Sequence, residues 1–294
     1  MDYNQLHTMG KLGAQSFKVG ETRVTVIADG FLPIGVDLLQ GIDQAGYSEQ
    51  LTASFVDEAI HHTGVNAFLI EAAGRVILVD TGTGEAMGPD LGKLGATLAS
   101  IGVAPSDVDT LIATHLHPDH VGGAGLSTGN PFTSAEFLVH GADIDMWCSV
   151  DVRDSAPEAF QPFFDLARAT VASFGDRVKT IDDGASLGPG MTAVHLPGHT
   201  PGHTGVMIEN GGQQLLIFAD IVHVPPVQFA RPEVTIGFDA DPDQARATRQ
   251  RVFDMIATDR LWIAGSHITF PGMGHLETAS EGGFRFVPSL WQYT

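Results

Sequence analysis

Cysteine is nearly absent from this chain, since Cys148 is the one cysteine among its 294 residues. A single thiol cannot form an internal disulfide, and this pattern fits a reducing compartment. Residues 1–7 show no basic stretch followed by an apolar one, so no signal peptide is predicted. Together these absences predict a cytoplasmic protein in which Cys148 is a small apolar filler.

Basic residues are also scarce: 15 lysines and arginines stand against 35 acidic residues, for a formal net charge of −20. Proteins that bind nucleic acids neutralise phosphates with clustered lysine and arginine, and this chain has no basic run. Its apolar runs end well before the roughly 18 residues that a membrane span needs. The sequence therefore argues against nucleic-acid and membrane partners and leaves a small-molecule substrate.

Histidine, by contrast, is concentrated in one place. His115, His117 and His120 lie within six positions, together with Asp119. Histidines two apart on an extended segment point to the same side, and Pro118 then lets the next two side chains turn toward the same point. Imidazole with carboxylate is the ligand set of Zn²⁺, Mn²⁺, Fe²⁺ or Co²⁺ rather than of Ca²⁺ or Mg²⁺. The stretch predicts a metal site.

This His-x-His-x-Asp-His pattern resembles the signature of the metallo-β-lactamase superfamily. Further marks of that superfamily occur in the expected order: Asp80 in Leu-Val-Asp-Thr-Gly, His199 in Pro-Gly-His-Thr-Pro-Gly-His, Asp220 in Phe-Ala-Asp and His267 in Gly-Ser-His. The resemblance implies an α/β fold, the αβ/βα sandwich of that superfamily, with its metal site at one sheet edge. We expect a single domain over residues 1–294, with a helical insertion at about 141–175 near the site.

Seven ligand-type residues are too many for one four-coordinate ion and suit two ions that share a carboxylate. By resemblance, the ligands of one ion are His115, His117 and His199, those of the other are Asp119, His120 and His267, and Asp220 bridges the two. Zinc is the expected metal. Asp119 would orient the attacking water and take its proton, so the expected catalytic residues are Asp119 and Asp220.

Two further residues are expected to hold the ligand loops. The resemblance gives this role to Asp80, whose alternative reading is an ordinary turn aspartate before Thr81 and Gly82. His203 lies four residues after His199 and is interpreted as a partner that stabilises the loop rather than as a ligand.

A closer resemblance is to the methyl parathion hydrolase group. It is carried by the segments Thr114–Gly123, Pro197–His203, Val227–Phe229, Phe270–His275 and Gly283–Pro288. Members of that group are dizinc, usually dimeric hydrolases of organophosphate triesters, aryl esters and lactones. The resemblance therefore implies a homodimer with a hydrolytic metal centre.

The aromatic pocket of that group would map onto Trp147 and one of Phe163 or Phe164. Aromatic residues at helical spacing are equally typical of a core, and the two readings stay open. The chain departs from the group at Met87, where those hydrolases carry phenylalanine, and it lacks their secretion signal. We therefore expect hydrolysis of lactones or aryl esters, with organophosphate triesters as secondary substrates.

Two other functions remain open. A glyoxalase II-like thioester hydrolase is the first, although no basic cluster for glutathione is visible. A non-catalytic small-molecule-binding member of the fold is the second, and the complete ligand set argues against it. The acylhomoserine lactonases of the superfamily use an active-site tyrosine, but Tyr3, Tyr47 and Tyr293 are the only tyrosines and none lies near a metal motif.

The apolar periodicity predicts the elements that would carry these residues. Strands are expected just before Asp80, His199, Asp220 and His267. One helix is predicted from Gly84 to Ile101. Other helices are predicted over Ala142–Trp147, over Pro157–Phe174 and, capped by Asp241, over Pro242–Thr258.

Overall fold

Short apolar runs build two seven-stranded sheets in the computed structural model, which describes residues 13–60, 62–280 and 282–290. Residues 1–7, on which the absence of a signal peptide was argued, lie outside the described part. In spatial order the first sheet consists of β1 (Ala14–Val19), β2 (Thr22–Leu32), β4 (Thr63–Ala72), β5 (Arg75–Val79), β6 (Thr110–Ile112), β7 (Glu136–His140) and β8 (Val178–Ile181). Its first four strands pair antiparallel, and β5 to β8 run parallel.

The second sheet is antiparallel except where β12 pairs with β14. In spatial order it consists of β16 (Phe284–Pro288), β15 (Met273–Thr278), β14 (Trp262–Gly265), β12 (Gln213–Ala219), β11 (Thr204–Asn210), β10 (Met191–His195) and β9 (Ser186–Gly188). A separate two-stranded ribbon joins β3 (Leu39–Gln40) to β13 (Thr235–Ile236).

Eight α-helices occur in the described residues. They are α1 (Gln44–Ala53), α2 (Leu94–Ser100), α3 (Pro118–Val121), α4 (Gly141–Trp147), α5 (Val150–Ser155), α6 (Gln161–Phe174), α7 (Pro225–Gln228) and α8 (Pro242–Asp259). None of these helices is both long enough and apolar enough to cross a membrane.

The main core lies between the facing sheets, where Val26, Phe68 and Ile70 of the first sheet pack with Val206 and Ile217 of the second. Fully burying a side chain of this size contributes about 1.5–3 kcal/mol. A second apolar layer joins the outer face of the first sheet to α2, α4 and α6. A third joins the second sheet to α8. Two sheets with helices outside each of them form the predicted αβ/βα arrangement.

The helix predicted from Gly84 to Ile101 is wrong over its first half, because α2 begins only at Leu94. Gly84 and Gly92 adopt positive φ angles of 54° and 74°, which a helix cannot contain. The carboxylate of Asp29 accepts hydrogen bonds from the backbone N–H groups of Thr83, Gly92 and Leu94. This distant aspartate therefore fixes residues 83–94 as a loop.

The prediction for the last helix is confirmed to within one residue, since α8 covers Pro242–Asp259 and Asp241 accepts a hydrogen bond from the Gln244 N–H. The stretch predicted as helical over Pro157–Phe174 becomes helical only at Gln161. Residues 150–155 form the additional helix α5, capped by the Ser149 hydroxyl.

Candidate metal centre

The candidate ligands lie in loops that directly follow strands. Asp80 follows β5, the histidine-rich motif follows β6, His199 follows β10, Asp220 follows β12 and His267 follows β14. Because β5 pairs parallel with β6, and β12 with β14, the carboxyl ends of each pair meet at one sheet edge. The two facing sheets thereby bring the ligand loops together.

The chain turns sharply within the histidine-rich motif, and the two glycines that follow it pack closely against a neighbouring loop. Pro118 begins the single helical turn α3, which carries Asp119 and His120. A Cβ atom on Gly122 would lie 2.2 Å from the Thr83 carbonyl oxygen. The glycine that follows allows an equally close approach to the same loop, so the backbone after the motif packs directly against residues 81–83.

Three histidine nitrogens converge in the first ligand group. Nε2 of His115 and Nε2 of His199 each lie 2.9 Å from Nδ1 of His117. Nε2 of His199 also lies 3.3 Å from Oδ2 of Asp220. The ligand atoms of these four residues all lie within 4.8 Å of one another.

The second group consists of Asp119, His120 and His267, whose ligand atoms also lie within 4.8 Å of one another. Asp220 extends to this group as well, since its Oδ1 lies 3.2 Å from Nε2 of His120 and its Oδ2 lies 3.0 Å from Nε2 of His267. Asp220 therefore lies between the two groups, where a shared ligand has to be.

The outer nitrogens of three histidines are held by acceptors away from the centre. Nδ1 of His120 lies 2.7 Å from Asp80, Nδ1 of His199 lies 2.9 Å from Asp239, and Nδ1 of His267 lies 2.8 Å from the Gly64 carbonyl oxygen. An acceptor at the outer nitrogen fixes the N–H there and leaves the lone pair of Nε2 for a metal.

The centre also contains buried polar atoms that nothing in the described chain satisfies. Nε2 of His120 and Oδ1 of Asp220 are both buried and have no hydrogen-bond partner. Each such atom costs about 1–3 kcal/mol when it stays unpaired. Divalent cations would satisfy both atoms, and the imidazole and carboxylate donors suit such ions. The residues therefore fit two divalent metals.

Burial and charge set the protonation of the metal-free centre. Burial raises the pKa of Asp220, but the neighbouring histidines His120, His267 and His115 outweigh this effect and hold that pKa well below its usual range. Burial lowers the pKa of His199, yet hydrogen bonds with Asp220 and Asp239 raise it to about 9. Without metal, protons on histidine thus compensate the buried carboxylates.

Asp80 and His203 each contact a candidate ligand residue. Asp80 adopts a positive φ of 63° and accepts a hydrogen bond from the Thr114 N–H in addition to its contact with His120. Nδ1 of His203 donates to the Leu196 carbonyl oxygen, while its Nε2 accepts the N–H of Asp220 at 3.1 Å. Burial lowers the pKa of His203 to about 3, which agrees with a neutral ring that both donates and accepts.

A cavity of about 490 Å³ opens over the ligand groups. The four predicted pocket residues Met87, Trp147, Phe163 and Phe164 all line it. Trp147 and Phe164 are also buried in the core, with ring centroids 4.5 Å apart, so these two residues contribute to the core as well as to the cavity wall. Further apolar walls come from Leu32, Pro33, Ile34, Leu38, Met146, Phe160 and Phe238.

Two functional candidates were missed from the sequence. Asp239 supports His199 from a loop 40 residues away, and no local pattern marks it. His223 is buried, lines the cavity and places Nε2 3.2 Å from Oδ2 of Asp220. Its spacing of three residues after Asp220 is the one signal that could have indicated it. Tyr47 is not among the lining residues, and Tyr3 and Tyr293 lie outside the described part.

A family model described as the metallo-beta-lactamase superfamily matches residues 62–267, which is more than half of the chain. The chain belongs to the metallo-beta-lactamase superfamily. Membership confirms the predicted single-domain α/β fold, and it confirms the predicted class of metal-dependent hydrolase. The alternative of a non-catalytic binding protein is thereby set aside.

Among curated members of the superfamily, the chain is similar to the N-acyl homoserine lactonase AiiA of Bacillus thuringiensis subsp. kurstaki. The two are 23% identical over 256 residues, which cover 81% of this chain and 91% of AiiA. Among solved structures, the hydrolase AbOPH of the beta-lactamase superfamily superposes with a TM-score of 0.90 at 30% identity, over 96% of this chain and 99% of that one.

A further solved structure, AidC, is described as a dizinc quorum-quenching lactonase in complex with a product, N-hexanoyl-L-homoserine. It superposes with a TM-score of 0.89 at 24% identity, over 96% of this chain and 99% of that one. At that identity the likeness establishes the fold. The relatives described here are lactonases and the hydrolase AbOPH, so the closer resemblance to the methyl parathion hydrolase group stays a prediction.

Proposed function

We propose that this protein uses two divalent metal ions, with zinc as the expected metal, to hydrolyse neutral lactones or aryl esters. One observation carries the proposal: an apolar cavity opens directly onto the two ligand groups. Among its described lining residues there is no lysine or arginine that could hold an anionic substrate group. Apolar walls favour uncharged substrates with flat or aliphatic groups.

Among neutral esters, lactones are favoured as substrates because similar proteins are lactonases. AiiA is named an N-acyl homoserine lactonase, and AidC is described as a dizinc lactonase with its acyl homoserine product bound. An acyl chain of such a substrate would lie along Phe160, Phe163 and Phe238, while its ester group faces the ligand groups.

When bound, the two ions supply a Lewis acid for the substrate oxygen and lower the pKa of a coordinated water. His115, His117 and His199 would hold one ion, Asp119, His120 and His267 the other, and Asp220 would contact both. Asp119 is partly exposed to the cavity and would take the proton of the attacking water. Asp80, Asp239 and His203 keep these groups oriented.

The remaining sequence predictions belong to the same proposal. We retain organophosphate triesters as secondary substrates and the glyoxalase II-like thioester reaction as the alternative. The homodimer and the cytoplasmic location are carried over as predictions of the sequence alone.

The proposal is tested by comparing kcat/KM for an acyl homoserine lactone, an aryl ester, a thioester, a phosphotriester and a phosphomonoester. The lactone or the aryl ester should rank first, and a phosphomonoester in first place would contradict the proposal. Met87→Phe places a rigid ring at the cavity wall and should shift selectivity toward the phosphotriester by at most about 1–3 kcal/mol, which is typical of one pocket contact. No shift would mean that position 87 does not contact the substrate.

A further inference from the structure

His223 is a buried histidine whose ring nitrogens form no hydrogen bond within the described part of the chain. Neither Nδ1 nor Nε2 has a hydrogen-bond partner, and Nε2 lies 3.2 Å from Asp220 outside hydrogen-bonding geometry. The ring lies between two candidate ligands, with its centroid 4.6 Å from that of His199 and 5.0 Å from that of His267. A buried polar group without a partner is costly, so this one calls for an explanation.

The main chain, not the ring, holds His223 in place. Its N–H donates to Oε1 of Gln228 at 2.6 Å, and its carbonyl oxygen accepts a hydrogen bond from the Thr63 hydroxyl at 2.7 Å. Gln228 and Thr63 are themselves buried. Two contacts from different elements therefore fix the main chain of His223 at the cavity wall and leave its ring nitrogens available.

The surroundings of His223 differ from those of the candidate ligands. His120, His199 and His267 each have an acceptor at the outer nitrogen, which is the usual arrangement of a metal-binding histidine. His223 has no such acceptor. Although its ring is close enough to Asp220 and His267 to share an ion with them, nothing fixes its lone pair toward that point.

We propose that His223 is a further catalytic residue, whose ring N–H donates a hydrogen bond to the carbonyl oxygen of the bound lactone or ester. The inference rests on the proposed function. Imidazole carries at least one N–H in either protonation state, so a donor is present throughout. Before substrate enters, that N–H has no partner, and the substrate carbonyl supplies the missing acceptor.

This hydrogen bond would stabilise the negative charge that develops on the carbonyl oxygen during the reaction. Water adds to the carbonyl carbon and passes a proton to Asp119, while the C=O π pair moves onto the carbonyl oxygen. The double bond then re-forms, the bond from carbon to the leaving oxygen breaks, and that oxygen takes the proton back from Asp119. A fixed donor aimed at the oxygen where charge develops contributes about 10²–10³-fold in kcat.

The test compares the wild-type enzyme with His223→Phe, which keeps a ring but has no donor, and His223→Gln, which restores an N–H. His223→Phe should lower kcat on a lactone by about 10²–10³-fold with an unchanged zinc content. His223→Gln should recover at least part of that loss. The matched control is His275→Phe, an exposed histidine that stacks on Trp262 outside the cavity, and it should keep wild-type kcat.

A thionolactone separates hydrogen bonding from a structural effect, because its sulfur accepts hydrogen bonds weakly. The wild-type to His223→Phe ratio of kcat should fall toward one on this substrate. Equal losses on the lactone and the thionolactone, an unchanged kcat on the lactone, or the loss of about one zinc ion per chain would each overturn the proposal. Should His223→Phe not fold, the same ratio measured for His223→Leu, which also lacks a donor, decides. If the wild type itself turns over no lactone or ester, the proposed function fails first and this inference with it.

Discussion

Asp220 is the residue at which the two ligand groups meet. Its carboxylate oxygens lie 3.2 Å from His120, 3.3 Å from His199 and 3.0 Å from His267. The backbone presents it in an unusual way: Ala219 before it has a positive φ of 48°, and the pairing of β12 with β14 shifts register at this point. Such irregularities at strand ends re-aim a side chain.

Asp220→Ala should therefore reduce activity more than Asp80→Ala. The first change removes a contact to both proposed ions, whereas the second releases His120 and the N–H and hydroxyl groups of Thr114. Loss of a residue that orients a ligand typically costs about 10–100-fold. Both variants are assayed at saturating metal, and a larger loss in Asp80→Ala would show that the two roles are assigned the wrong way round.

The pH dependence of metal binding follows from His199 and its two carboxylate partners. In the metal-free protein the pKa of His199 is raised to about 9, so below that pH the ring carries a proton that a metal must displace. Zinc affinity should therefore rise with pH up to about 9, with proton release on binding. A zinc titration in weakly buffered metal-free protein measures this release.

Asp239→Asn provides the control for that titration. It removes the negative charge of Asp239, which helps to raise the pKa of His199, so the release of protons near neutral pH should become smaller. Zinc binding without proton release at neutral pH would contradict the assignment of the proton to this histidine.

At the scale of elements, helix α8 fixes the segment that contains His223. Arg249 of α8 is buried and donates to the carbonyl oxygens of Ile221, Pro232 and Val234. Burial lowers the pKa of its guanidinium to about 10, which leaves it charged at neutral pH. One side chain thus ties both ends of residues 221–234 to the helix.

Arg249→Ala should lower the free energy of unfolding by about 2 kcal/mol or more, because the buried carbonyl oxygens of Ile221 and Pro232 lose their donor at about 1–3 kcal/mol each, whereas that of Val234 keeps the Gln228 side chain as a donor. Arg251→Ala removes an exposed neighbour on the same helix and should change it by less than about 0.5 kcal/mol. Urea unfolding of the metal-saturated proteins measures both. Similar small effects in the two variants would mean that the Arg249 contacts contribute little.

The candidate site was predictable from the sequence where local motifs mark its residues, and not where distant contacts do. The candidate ligands were found because each lies in a short motif after an apolar strand, and the two sheets bring those ends together. Asp239 and His223 escaped because their roles depend on contacts across the fold rather than on local spacing. The helix predicted from Gly84 failed for a related reason, since Asp29, more than 50 residues earlier, holds that segment as a loop.

At the scale of the whole molecule, the chain is strongly acidic, and an apolar cavity wall covers the histidine-rich ligand groups. Residues 141–175 contribute much of this wall, and within them the ring of Trp147 lies 4.9 Å from that of His117. Whether this segment is an insertion stays a prediction. Its side chains line the cavity over the two ligand groups, where they would contact a substrate. A neutral substrate avoids repulsion from the net charge of −20 and meets no unpaired cation in the described cavity wall.

The central claim is that two ions held by the seven candidate ligands are needed for hydrolysis of a neutral lactone. The most direct measurement is the lactonase activity of metal-free protein as zinc is added, followed together with bound zinc per chain. Activity should appear with metal and reach its maximum only as about two ions bind per chain. Full activity with one bound ion, or lactone hydrolysis that survives complete removal of metal, would contradict the account.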